Sequence, residues 1–176
     1  MIALTLIAAP AFAEVCPTAT DYSARQADIL AQLQALPNAD GARELAQEMQ
    51  ALWTKAPDDK AQALLDLAME QRNRLDLRGA RDTLNQLIAY CPTYAEGYNQ
   101  RAFTSFLSND LQGALNDLDI TLALMPEHVA ALIGKTLTLL KMGYEDEAQE
   151  ALRVALELNP WLYERVLLKE PAGVEI

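Results

Sequence analysis

The sequence predicts an all-α fold built as an array of antiparallel helix hairpins. Three prolines, Pro92, Pro126 and Pro160, follow one another at intervals of 34 residues, and the last two close the similar apolar runs TLALMP and ALELNP. Proline removes a backbone donor and disfavours helix at the residue before it, so each of these prolines ends a helical unit. A chain of 176 residues with 51% hydrophobic residues is long and apolar enough to bury a core.

The repeat has a fixed register when Ala95 is taken as position 1 of a 34-residue unit. Positions 20, 24 and 28 are four residues apart, so they form one apolar stripe on the second helix of each unit, facing the first helix. The small residue at position 20 lets the two helices cross closely. The matching residues are Ala80, Ala114 and Ala148 at position 20, Leu84, Leu118 and Leu152 at position 24, and Ile88, Leu122 and Leu156 at position 28. The three units are therefore residues 61–94, 95–128 and 129–162.

Shorter elements complete the array at both ends. Asn109 and Gly143 lie where the turn between the two helices needs a permissive backbone, and Leu75 stands at the same place in the first unit. Within residues 14–60, we interpret residues 21–56 as a degenerate repeat or capping hairpin in register with the units. Residues 163–176 are expected to form a C-terminal cap and tail. A stacked array needs such a cap over its last apolar face, and four residues are suited to it: Trp161, Leu162, Val166 and Leu167.

This column pattern resembles the tetratricopeptide repeat family, whose unit is also 34 residues long. The resemblance implies a right-handed superhelical stack in which the first helices line a concave groove that binds another protein or peptide. In the family, positions 2, 5, 9, 12 and 13 face that groove. When these positions are transferred to this sequence, they give the candidate groove residues Leu65, Met69, Arg72, Asn73, Asn99, Phe103, Phe106, Ile133, Leu137, Leu140 and Lys141, together with Glu96 and Leu107. These side chains suit an apolar peptide, or else they pack against neighbouring first helices and expose little.

One subclass of the family is not matched. Relatives that hold the charged tails of chaperones use Lys and Asn at positions 5 and 9 of a first helix. Here those positions are Leu65 and Met69 in one unit and Asn99 and Phe103 in the next. A C-terminal carboxylate ligand is therefore not expected.

The sequence contains no catalytic set, and we expect neither an enzyme activity nor a cofactor. It has no glycine-rich phosphate loop, no nucleophile elbow and no metal-ligand spacing. His128 lies in a turn between units, where we expect it to be solvated. The net charge of −11 argues against nucleic acid and anionic membrane surfaces as partners, because both would be repelled, and favours a basic protein partner, or none.

The N-terminal segment indicates export. Residues 1–13 form a short apolar run that ends in Ala11-Phe12-Ala13, a pattern typical of signal-peptide cleavage, although no Lys or Arg precedes it. Cleavage after Ala13 would place the chain in the periplasm or outside the cell, with no membrane insertion afterwards. The alternative is an uncut cytoplasmic protein. In an oxidising compartment Cys16 and Cys91 could pair, whereas in the cytoplasm they would stay free thiols.

These observations favour a non-enzymatic adaptor of the cell envelope that binds a partner segment in its concave groove. The alternative is a structural or accessory subunit of an envelope complex, or of a separately encoded enzyme, that assembles through its convex face or its ends.

Overall fold

The computed structural model describes residues 15–169 of the chain. The predicted signal peptide and the end of the predicted C-terminal tail lie outside the described residues. The helices are α1 (Ser23–Ala35), α2 (Ala42–Trp53), α3 (Asp59–Asn73), α4 (Leu77–Tyr90), α5 (Ala95–Leu107), α6 (Leu111–Leu124), α7 (Val129–Met142), α8 (Glu145–Leu158) and a 3₁₀ helix, Tyr163–Leu167. The described residues contain no strand, and the predicted all-α solenoid fold is confirmed.

Three helix pairs, α3–α4, α5–α6 and α7–α8, form the stack, and each pair crosses at an alanine. Ala80, Ala114 and Ala148 are all fully buried, with 0% of their surface exposed. Any larger side chain at these points would push the paired helices apart, because protein interiors are close-packed. One turn further along, Leu84, Leu118 and Leu152 are buried as well. Because the alanine has the same position in each unit, the two helices cross in the same way in all three pairs.

The turns inside the pairs share an unusual backbone conformation. Leu75, Asn109 and Gly143 have φ values of 63°, 61° and 84°, so all three lie in the left-handed region. They occupy the same position of successive units, just after the first helix. Glycine adopts this conformation without strain and asparagine tolerates it, whereas a leucine pays a steric cost there. The turn geometry is therefore imposed by the helix packing and does not depend on glycine in the first unit.

Aspartates cap the second helices of the first two pairs. The carboxylates of Asp76 and Asp110 accept hydrogen bonds from the backbone N–H groups of Gly79 and Gly113, both at 3.0 Å. A Cβ atom added to either glycine would lie 2.2 Å or 2.5 Å from the capping carboxylate. A side chain at either glycine would therefore require the capping carboxylate to shift from this position.

The N-terminal hairpin, α1 and α2, does not continue the stack as a fourth unit. The Nε2 atom of Gln34 donates to the backbone oxygen of Glu157 at 2.8 Å, and the indole N–H of Trp161 donates to the backbone oxygen of Leu33 at 2.9 Å. The hairpin therefore meets the end of α8, the last helix of the stack, whereas an in-line repeat would contact only its neighbour. Its buried side chains share one cluster with the start of α7: Ile29, Leu30, Leu33, Met49, Trp53 and Val129.

The C-terminal segment covers the last pair only in part. Trp161 and Leu162 pack against the hairpin cluster, as a cap would. Val166 and Leu167 are 66% and 36% exposed, so the expectation that they cover the apolar face is wrong. The segment is attached through backbone groups instead, since the Nε2 atom of Gln149 donates to the oxygen of Leu167 at 3.0 Å.

Cys16 and Cys91 form a disulfide in the structure, with their Cα atoms 5.2 Å apart. Cys91 follows α4 and is buried. The bond closes a loop with a sequence separation of 75 residues, which in the chain-entropy view stabilises the fold by about 4–5 kcal/mol. It also attaches the segment before α1 to the end of α4.

None of the helices within residues 15–169 is long and apolar enough to cross a membrane.

Leu75→Gly should stabilise the protein. The substitution removes the steric cost of a left-handed leucine and adds the entropy cost of glycine, so the free energy of unfolding should rise by about 0.5–1 kcal/mol. Urea unfolding of both proteins measures this difference. The matched control is Leu67→Gly, at an exposed position inside α3, where glycine should lower stability by about 1 kcal/mol. Equal losses at both positions would show that Leu75 is not strained.

Candidate functional site

An open cavity of about 340 Å³ lies on the surface formed by the first helices of the three pairs. Its apolar walls come from α3, α5 and α7, and Gln50 of α2 closes one side. The lining residues are Met69 and Arg72 of α3, Asn99, Gln100, Ala102, Phe103 and Phe106 of α5, and Ala130, Ile133, Gly134, Leu137 and Thr138 of α7, with Leu118 of α6 beneath them. Phe103 is 48% exposed, which is unusual for so large an aromatic residue.

Most of the candidate groove residues lie around this cavity, and the exceptions have physical reasons. The seven that line it are Met69, Arg72, Asn99, Phe103, Phe106, Ile133 and Leu137. Leu65 is fully buried in the cluster between α3 and α4, so its assignment to the groove surface is wrong. Asn73, Leu140 and Lys141 lie at the ends of α3 and α7 and outside the lining.

The N-terminal hairpin covers the part of the groove next to the N-terminal ends of α5 and α7. The indole ring of Trp53 stacks on the imidazole of His128, with ring centroids 4.1 Å apart and an angle of 18° between planes. The hydroxyl of Tyr94 donates to the backbone oxygen of Trp53 at 2.8 Å, and burial raises the pKa of this tyrosine. The start of α7 is thus occupied by the chain itself, and the open cavity lies beyond the hairpin.

His128 is fully buried, so the expectation of a solvated turn histidine is wrong. The backbone N–H of Ala131 donates to Nδ1 at 3.2 Å, and Nε2 lies 2.9 Å from Oε2 of Glu96. Because Nδ1 accepts a hydrogen bond, the ring proton is on Nε2 and is donated to the carboxylate. His128 therefore caps α7 through one nitrogen and binds α5 through the other.

Glu96 is the centre of this buried polar network. Its carboxylate is 1% exposed and accepts from the amide of Asn99 at 3.0 Å, from the amide of Gln100 and from His128. A buried carboxylate is tolerated only when its oxygens are fully bound. Among the described residues, no buried side-chain nitrogen or oxygen lacks a hydrogen-bond partner.

Arg72 connects the buried network to the open cavity. Its Nη1 atom donates to the side-chain oxygen of Gln100, and its guanidinium carbon lies 4.7 Å from the centroid of the Phe103 ring. Burial lowers the pKa of Arg72, and the attraction of Glu96 opposes that shift. The arginine therefore presents a partly desolvated positive charge to the cavity.

The sequence pattern did not reveal the roles of Trp53, Gln50 and Gln100. Trp53 and Gln50 belong to the degenerate hairpin, where the repeat register carries no information about their partners. Gln100 is at position 6, which is not among the groove positions of the family. The one available signal was the polar residue Asn99 at position 5, where the other two units have the apolar residues Leu65 and Ile133.

Replacing His128 with leucine should destabilise the protein. The change removes a donor from the buried carboxylate of Glu96 and the cap of α7, and hydrogen bonds to charged groups contribute about 1.5–3 kcal/mol each. The free energy of unfolding in urea should fall by about that amount. The neighbouring, exposed Glu127→Gln serves as the control and should change stability by less than about 0.5 kcal/mol. Similar, small effects of both substitutions would contradict the importance of the network.

No protein-family model matches the chain. A TPR repeat-containing protein of Rhizobium etli is 28% identical over 140 residues, which are 75% of this chain and 65% of that protein. A tetratricopeptide repeat protein 36 homolog of Nematostella vectensis is 35% identical over 98 residues, 54% of each chain. The chain thus spans less than two thirds of either relative.

Solved structures with the same fold also carry tetratricopeptide repeats. The first such domain of Spaghetti (RPAP3), bound to the HSP90 peptide SRMEEVD, has a TM-score of 0.60 at 19% identity, covering 61% of this chain and 86% of that one. The TPR2B domain of yeast Sti1, in complex with an Hsp70 peptide, has a TM-score of 0.56 at 23% identity, covering 57% and 81%. MamA has a TM-score of 0.54 at 18% identity, covering 84% and 79%. The fold is therefore that of a tetratricopeptide-repeat solenoid, and both curated relatives support the resemblance to this family.

Proposed function

We propose that this protein is a non-enzymatic interaction module that binds a segment of another protein in the open part of its concave groove. The observation that carries the proposal is the apolar cavity itself, because three different helices contribute Met69, Phe103, Phe106, Ile133 and Leu137 to one accessible surface. A large exposed aromatic side chain inside an apolar concavity is typical of a binding surface. The peptide complexes of the Sti1 and RPAP3 domains support this use of the fold.

The position of the hairpin limits how the partner binds. Since Trp53 and Met49 are buried over the start of α7, the partner contacts the remaining surface towards the C-terminal ends of α3, α5 and α7. This surface is a few side chains wide. The partner therefore binds through one or two anchoring side chains rather than along the whole groove.

We further propose that the chain works in the cell envelope. The proposal is supported by Ala11-Phe12-Ala13 and by the pairing of Cys16 with Cys91, which suits an oxidising compartment. Mass analysis of the protein from its own cells, without reduction, should find Glu14 as the first residue and the two cysteine peptides joined. A chain that retains its first residues and carries two free thiols would contradict export.

Replacing Phe103 and Phe106 together with alanine should weaken partner binding by at least about 100-fold, because buried aromatic anchors dominate interface energies. A photo-crosslinking residue at position 103 first identifies the partner in cells, and calorimetry then measures its Kd. The double variant should still fold, since Phe103 is half-exposed and Phe106 is only partly buried, and urea unfolding measures the packing energy that is lost.

The matched control replaces two exposed aliphatic residues on second helices, Ile120 of α6 and Val154 of α8, which are 39% and 40% exposed. This pair of alanine substitutions should leave the Kd within a factor of about three. If the control pair loses binding and the phenylalanine pair retains it, the outer face is the interface. The chain would then be a subunit that assembles through that face.

A further inference from the structure

The open cavity differs in charge from the rest of this acidic chain. The chain has 25 acidic and 14 basic residues, yet the cavity lining includes Arg72 and no carboxylate. Four other concave regions each include at least one Asp or Glu: Asp21 and Glu127 in one, Asp119 and Glu150 in a second, Glu164 in a third, and Asp110 and Asp117 in a fourth. The absence of acidic groups is therefore specific to this surface and does not follow from composition.

Arg72 has no ion pair with a described carboxylate. Its guanidinium contacts the Phe103 ring, the amide oxygen of Gln100 and, at 3.4 Å, that of Asn73. The nearest acidic group in its network, Glu96, is separated from it by the Gln100 side chain and already has three donors. Four other arginines are paired directly with acids: Arg25 with Glu48, Arg74 with Glu70, Arg81 with Asp110 and Arg101 with Asp117.

A second cation lies at the rim of the cavity in the same kind of environment. The Nζ atom of Lys141 is 4.8 Å from the centroid of the Phe106 ring. Lys135 and Lys169, by contrast, form ion pairs with Asp119 and Glu145. Two positive charges are thus placed against the exposed Phe103 ring and the partly buried Phe106 ring, and neither forms an ion pair with a carboxylate within residues 15–169.

We infer that the groove selects a short segment with one aromatic or long aliphatic anchor and side-chain carboxylates next to it. This inference rests on the proposed function and names the chemistry of its partner. The anchor packs between Phe103, Ile133 and Leu137, and the neighbouring carboxylates bind Arg72 in the cavity and Lys141 at the rim. A carboxylate that enters this partly desolvated site accepts a charge-assisted hydrogen bond from the guanidinium of Arg72, which is already held in position. The partner is therefore acidic at this surface, although the charge of the whole chain favours a basic one.

The carboxylates come from side chains and not from a chain terminus. The relatives that hold the charged tails of chaperones use Lys and Asn at positions 5 and 9, and those positions here are Leu65, Met69, Asn99 and Phe103. Leu65 is fully buried, and the side-chain amide of Asn99 already donates a hydrogen bond to Glu96. Arg72 and Lys141 are near the C-terminal ends of their helices, one to two turns away from those positions.

Selection from a random 12-residue peptide library, displayed with both ends fused to carrier protein, tests the inference without a known partner. The unmodified protein should enrich peptides that carry Asp or Glu within two residues of Phe, Trp, Leu or Met, relative to selection on the Phe103→Ala, Phe106→Ala variant. One enriched peptide is then synthesised with blocked ends, and its Kd is measured by fluorescence anisotropy.

Three comparisons decide the outcome. Arg72→Gln and Lys141→Gln should each weaken binding of this peptide by about tenfold or more, and replacing its Glu and Asp with Gln and Asn should have a similar effect. Arg74→Gln removes an exposed arginine that is paired with Glu70 and should leave the Kd unchanged. Because Lys141 is exposed, its variant gives a result even if Arg72→Gln fails to fold.

The possible failures are distinguishable. Enrichment of neutral or basic peptides that still requires Phe103 and Phe106 overturns the charge preference and leaves groove binding intact. If Arg72→Gln and Lys141→Gln both bind the peptide with unchanged affinity, the charge preference is also overturned and groove binding is left intact. No enrichment over the phenylalanine variant overturns the proposed groove function together with this inference.

Discussion

The stacking of Trp53 on His128 is the contact on which the arrangement of the chain depends. It places the end of α2 against the turn before α7. The N-terminal hairpin therefore crosses the concave surface and does not stack on α3 at the N-terminal end of the array. The contacts of Gln34 with Glu157 and of Trp161 with Leu33 follow from that placement. The groove is consequently divided into a part that the chain covers itself and a part that stays open.

The polar network behind this contact explains why the divided groove has a defined chemistry. Burying Glu96 requires donors on all sides, and His128, Asn99 and Gln100 supply them. Gln100 then uses its own oxygen to hold Arg72, which brings a positive charge to the boundary of the open cavity. The same interactions that fix the hairpin therefore also determine the charge that a ligand meets.

The helix pairs could be predicted from the sequence because their determinants are local. The buried alanines, the leucine one turn later and the turn residues all recur at a constant interval, and even Leu75 adopts the turn conformation that glycine would favour. Seven of the thirteen residues assigned to the groove line one cavity for the same reason, since they share the face of a first helix. Leu65 does not, because the first pair buries it between its own two helices.

The hairpin and the network could not be predicted, because their partners are far away in the chain. Trp53 and His128 are in different segments, and no periodic pattern links them; a histidine in a turn carries no signal of burial. The register of residues 21–56 matched a fourth unit at a few positions, but stacking also requires a matching surface on α3. The hairpin instead buries its apolar residues against α7 and α8.

A cross-link between the hairpin and the last helix tests this arrangement most directly. Gln34 and Glu157 are both exposed, and the native cysteines are joined to each other, so cysteines introduced at positions 34 and 157 are the only reactive thiols among the described residues. A short bismaleimide added to the dilute, unreduced protein should join them within one molecule, as read by peptide mass analysis. If both cysteines react with maleimide separately and no intramolecular link forms, the hairpin does not close over the groove.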